Sequence, residues 1–194
     1  FPEGKIEWLP ALNKPNSDKQ EQREIPFSRE IWIEQDDFME EPSKKFFRLA
    51  PGKEVRLRYA FFVTCNAVIK DEDGEIVELR CSYDPETRGG NAPDGRKVKG
   101  TIHWVSAEHA KDAEVRIYNS FYNTPSPGRE RDFIEDINPN SLEVLENCKI
   151  EPDLIALDDN VPIQFERLGY FYKDPDTTPE KHIYNRTISL RDTW

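Results

Sequence analysis

The chain has 194 residues, with 27 basic and 38 acidic side chains and a formal charge of −11. That length suffices for one large domain or two small ones, without a disulfide or metal staple. Three cysteines in no Cys-x-x-Cys spacing read as free thiols of a reducing compartment, and the lack of any long apolar run or charged-then-apolar leader argues against a membrane helix or export.

The chain opens on Phe1 and holds its only methionine at Met39, so it is expected to be a piece of a longer protein. The stretch to about Arg23 is polar and punctuated by Pro2, Pro10 and Pro15, which predicts extended chain and loop. Residues 30–34 form a short strand of β-branched and aromatic residues. Asp36 to Glu41 gives one acidic turn or short helix, stopped by Pro42. Val55, Leu57 and Tyr59 alternate with Arg56 and Arg58, the period-two pattern of a half-buried strand. Strand signal continues through Phe61-Phe62-Val63 to Ile69, and Asp73-Gly74 marks a hairpin turn before residues 76–80. A loop over 84–96 leads to strands at 98–104 and 114–118. An acidic, linker-like stretch follows, then alternation at Val161, Ile163 and Phe165, a break at Gly169, and a last strand from Ile183 to Leu190. Many short strands with turn signals between them predict an all-β protein, a barrel or a sandwich.

No catalytic constellation is visible. His103 and His109 are six apart, not at the spacing of a zinc-binding helix, and His103 is expected to pack beside Trp104. Gly52-Lys53 lacks the upstream glycine of a phosphate-cradling loop and reads as a turn. Asp36-Asp37 and Asp158-Asp159 read as solvated charges. Neither a catalytic nor a metal residue is assigned.

Charge distribution matters more than its sum. From Lys44 to Arg58 there are six basic residues against one acid, Glu54, while residues 129–160 carry three basic and ten acidic ones. A net charge of −11 counts against a polyanionic partner, but this segregation leaves a local positive site. On a strand, Arg56 and Arg58 would project from one face about 7 Å apart. Two guanidinium forks so placed suit phosphates or the edges of unpaired RNA bases. Pattern alone leaves open an ordinary solvated face with cross-strand ion pairs.

Residues 25–33 (IPFSREIWI), 52–58 (GKEVRLR), 94–106 (DGRKVKGTIHWVS), 164–171 (QFERLGYF) and 185–194 (NRTISLRDTW), read together, resemble the C-terminal half of bacterial glutaminyl-tRNA synthetases. The blocks run in the right order over nearly the whole chain. The resemblance implies two β-barrels related to the ribosomal protein L25 fold, one inserted in the other: a proximal barrel from 1–36 plus 118–194, and a distal barrel from 37–117. It also implies a cytoplasmic, monomeric enzyme whose partner is tRNA(Gln), with ATP and magnesium bound in an upstream catalytic domain and no cofactor here.

Carried over residue by residue, the resemblance places anticodon contacts at Arg48, Arg56, Arg58, Gln164 and Arg167, with Asn13 in a loop brought to the same region. Arg56 and Arg58 would serve the first anticodon base and its phosphate, Gln164 the middle base, and Arg48 the third. Arg167 would support backbone or a neighbouring pocket. Where the family pattern has tyrosine and lysine ahead of Arg48, this chain has Phe46-Phe47; Lys44 or Lys45 would reach the phosphate instead, and Phe46 would either stack on a base or join the core. A family arginine for the middle base falls ahead of Phe1. The same barrels would also fit a glutamyl-tRNA synthetase of eukaryotic or archaeal type, or a 5S rRNA-binding module.

Overall fold

The computed structural model describes residues 1–15, 18 and 21–190. In the first part, β1 (Glu7–Leu12) and β2 (Gln22–Phe27) form a hairpin, and β3 (Ile31–Trp32) precedes a single 3-10 turn at Gln35–Asp37. Next come β4 (Glu54–Leu57), β5 (Phe62–Lys70), β6 (Ile76–Asp84), β7 (Thr101–Ile102) and β8 (Val105–Ser106). The second part holds β9 (Lys111–Tyr118), β10 (Leu142–Ile150), β11 (Ile163–Phe165), β12 (Gly169–Lys173) and β13 (His182–Ser189). The all-β expectation holds.

Closure into barrels does not. The main sheets run β6-β5-β4-β7 and β10-β9-β13-β12-β11, each with two open edges among the described strands. β3, β7 and β8 are two residues long, and β7 meets β4 through only two register pairs, too little ladder to carry a sheet round on itself.

Two compact units result, Phe1–Ala110 and Lys111–Trp194. Residues 1–36, grouped by the resemblance with 118–194, share the first unit's core: Leu9, Ala11, Ile25 and Phe27 of the β1–β2 hairpin pack with Leu49, Val55, Leu57, Phe61 and Trp104. Phe27 meets Phe61 and Trp104 edge-on, each with ring centroids 5.1 Å apart, a geometry that adds to plain area burial. The second core gathers Ala113, Val115, Ile150, Ile163, Phe171 and Tyr184. Its ladder is antiparallel except where β13 runs parallel to β9.

Two departures from the sequence reading bear on the site. The predicted loop before Arg23 holds β1 and the start of β2, because Pro10 sits in a strand paired on one side only, opposite Glu24. The predicted strand through Tyr59 ends at Leu57. Tyr59 has φ 62, and the amide of Leu57 bonds the carbonyl of Phe61 at 2.8 Å, so the chain reverses there.

The corner between β5 and the loop after β6 depends on Thr87. Its hydroxyl accepts the Phe62 amide at 2.8 Å and donates to the Asp84 carbonyl at 2.7 Å, with the residue fully buried. Thr87→Val keeps the shape and strands both partners, so urea denaturation should report a loss of about 1–3 kcal/mol at an unchanged slope.

Candidate nucleic-acid interface

Arg48 lies in the β3–β4 connection and is anchored by the 3-10 turn. One of its terminal nitrogens donates to the Asp36 carbonyl at 2.9 Å and lies 3.3 Å from the Asp37 carboxylate. Asp37 is fully buried, which corrects the expectation that Asp36-Asp37 is a solvated pair. The acid serves as an internal tether that fixes a guanidinium which stays about a third exposed.

Beside Arg48 lies a groove of about 360 Å³ with Lys44, Phe47, Lys53 and Lys99 in its walls. Phe47 is 51% exposed, and the Lys99 ammonium stands 4.9 Å from its ring centroid. Phe46 is the half-buried member of the pair, so the aromatic face offered to a base is that of Phe47. Lys45, in the turn just before, is exposed.

Arg56 occupies the middle of β4, paired with Phe62 of β5 and with Thr101 of β7. Its guanidinium carbon lies 5.3 Å from the Phe62 ring centroid, and its Nε is buried with no hydrogen-bond partner in the structure. Gly90 makes room for its stem: a Cβ there would sit 3.0 Å from Arg56 Cδ, and Gly90 has φ +87. Arg58 is not beside Arg56 on a straight strand. It begins the turn after β4, where its amide bonds the Ile102 carbonyl at 3.0 Å and its carbonyl accepts Trp104 Nε1 at 2.9 Å. Its guanidinium lies 5.2 Å from the Tyr59 ring.

Asn13 is exposed at the end of the β1–β2 hairpin. Its amide bonds the Glu21 carbonyl and its side chain accepts from Arg23 at 3.3 Å. In the second unit, Gln164 projects from β11, the sheet's edge strand, opposite Tyr170 and exposed. Arg167 lies half-buried in the turn before β12 at φ 64.

The remaining chemistry is sparse. His109 bonds the Ser106 hydroxyl through Nδ1 at 3.0 Å and packs against Trp8, and Gly52 takes a turn at φ +69. Cys65, Cys81 and Cys148 form no disulfide among the described residues. Among the described residues, no cluster of His, Cys, Asp or Glu could hold a metal ion, and no helix is long and apolar enough to cross a membrane.

Residues 1–84 match one family profile and residues 101–174 another, both described as the anti-codon binding domain of class I tRNA synthetases (E and Q). The chain belongs to this family. Over its whole length it is 58% identical to a glutamine–tRNA ligase of Bradyrhizobium diazoefficiens and 54% identical to one of Nitrobacter winogradskyi. A glutamine–tRNA ligase of Aliivibrio fischeri is 50% identical. The chain spans about a third of the length of these relatives, 35%, 34% and 35% respectively.

Within this anti-codon binding domain, sequence reasoning missed Lys99, Phe47 and Asp37. Lys99 lies in one of the matching blocks but is separated from the basic run by forty residues; only the fold brings it over Phe47. No local signal distinguishes the buried Asp37 from the exposed Asp36.

Proposed function

We propose that this chain is the region of a bacterial glutamine–tRNA ligase that recognises the tRNA(Gln) anticodon. The parent enzyme would be a cytoplasmic monomer that joins glutamine to tRNA with ATP and magnesium, held in the part of the enzyme outside this chain. The observation that carries the reading is the groove beside Arg48. An exposed aromatic ring under an ammonium, beside a guanidinium tethered by a buried acid, supports stacking of one splayed base with bonding to its edge or phosphate. Arg56 and Arg58 would hold the first base and its phosphate, Arg48 the third, and Gln164 the middle one, with Arg167 supporting backbone or a neighbouring pocket. Lys44 at the groove or the exposed Lys45 beside it would add a phosphate contact, and Asn13 a further one from its loop. Phe47, in place of a lysine, would exchange a charge contact for stacking, with Lys99 supplying the cation.

The test is a titration of the full-length enzyme with tRNA hairpins that differ only in the anticodon. The glutamine anticodon should bind most tightly, and log K should fall linearly with log salt, reporting the phosphates engaged. Equal affinity for all anticodons would overturn the reading, and preference for a glutamate anticodon would assign the chain to the glutamyl branch.

A further inference from the structure

Arg56 lies in an acidic neighbourhood. Glu54 is two residues away on the same face of β4, and Asp84 stands opposite Phe62, which itself stands opposite Arg56. Asp94 sits in the loop that follows. Free carboxylates this close to a guanidinium would pair with it or repel a phosphate brought to it.

Arg96 occupies all three. Its Nε and Nη2 each donate to Glu54 at 3.0 Å in a bidentate fork, Nη2 also donates to Asp84, and Nη1 donates to Asp94 at 2.7 Å. Its guanidinium carbon lies 5.3 Å from the Phe62 ring, the same ring that Arg56 faces at 5.3 Å. Arg56 and Arg96 line one depression of about 420 Å³. Arg56 has no carboxylate partner among the described residues, although three acids surround it.

We propose that Arg96 is a positioning residue for RNA recognition: by engaging Glu54, Asp84 and Asp94, it keeps Arg56 unpaired and open to an anionic ligand. This rests on the reading of Arg56 as an RNA contact. Arg96 is suited to the task because its planar fork offers five donors and a bidentate grip, where an ammonium offers three donors on a point charge. The pairing holds the Asp84 carboxyl below its ordinary range, chiefly through the Arg96 bond.

The experiment measures tRNA(Gln) binding by the full-length enzyme. Arg96→Gln releases the acids and should weaken binding about tenfold, the scale of one lost charged contact. Adding Glu54→Gln and Asp84→Asn to it should restore most of the affinity, because two of the three competing charges are gone and only Asp94, in the loop, remains. Asparagine at 84 still accepts the Glu86 amide that Asp84 accepts at 3.0 Å. In an Arg56→Ala background, Arg96→Gln should have little further effect. If Arg96→Gln melts, Arg96→Lys with and without the two acid substitutions carries the same test, with a smaller loss expected. Normal binding by Arg56→Ala would sink the functional reading. Normal binding by Arg96→Gln with Arg56→Ala impaired would sink this proposal alone. So would a triple variant as weak as Arg96→Gln, for the arginine would then only anchor its loop.

Discussion

Arg56→Ala in the full-length enzyme is expected to lower kcat/KM for charging tRNA(Gln) about tenfold to a hundredfold, the range of one lost bidentate base contact. The fold should survive the change. Arg56 holds its place in the sheet through its backbone, whose amide bonds the Gly100 carbonyl at 2.9 Å, and alanine keeps that bond. What is lost is a guanidinium held by Phe62 below and by the chain at Gly90 against its stem. A side chain restrained in this way gives up little rotamer freedom when a ligand arrives, so most of its bond energy appears as affinity. Arg58→Ala should act in the same direction but less, because its side chain leaves from a turn. Trp104 still finds the residue-58 carbonyl after truncation. Comparing tRNAs with altered anticodons separates the two roles. A base contact predicts a loss confined to the native anticodon, whereas a phosphate contact predicts a uniform loss and a shallower salt dependence. If both variants charge native tRNA at the parental rate, Arg56 and Arg58 are not part of the interface.

What could be read in advance depended on how local its cause was. The β5–β6 hairpin was legible because Asp73-Gly74 writes its turn directly into the sequence, and Gly74 adopts φ 86 as such a turn demands. The period-two pattern of Val55 and Leu57 likewise described β4, with both residues buried. The same pattern misled at Tyr59, because alternation records which face a side chain takes and carries no information on where the chain turns back. β10 was hidden for another reason. Its strand is exposed along most of its length and lies at the edge of its sheet, so it needs no apolar stripe, and its acids read as a linker. Asp37 and Arg96 mark the remaining limit. Asp37 depends on Arg48, eleven residues on, and Arg96 on Glu54, forty-two residues back, which only the folded chain brings within reach.

Gly100→Ala is expected to cost about 2–4 kcal/mol of stability and to disrupt both arginine sites together. Gly100 has no unusual backbone angle, so the effect is purely steric. A Cβ there would stand 1.9 Å from the Phe47 carbonyl oxygen and 3.3 Å from Val55 Cγ1. The first contact is with backbone, which cannot rotate aside as a side chain tip would. Relief requires residues 99–101 to part from the segment that carries Phe47 and Arg48. The Gly100 carbonyl also receives the Arg56 amide, so the same shift pulls on β4. Gly52→Ala is the comparison: its φ of +69 strains any side chain, yet open space surrounds it, so it should lose only about 1–2 kcal/mol. Urea denaturation of the two variants should therefore rank Gly100 well above Gly52, and tRNA binding measured far below the midpoint should fall for Gly100→Ala alone. An alanine at 100 that left the midpoint within error of the parent would mean that residues 47 and 100 do not approach as closely as described, and the groove at Arg48 would lose its wall.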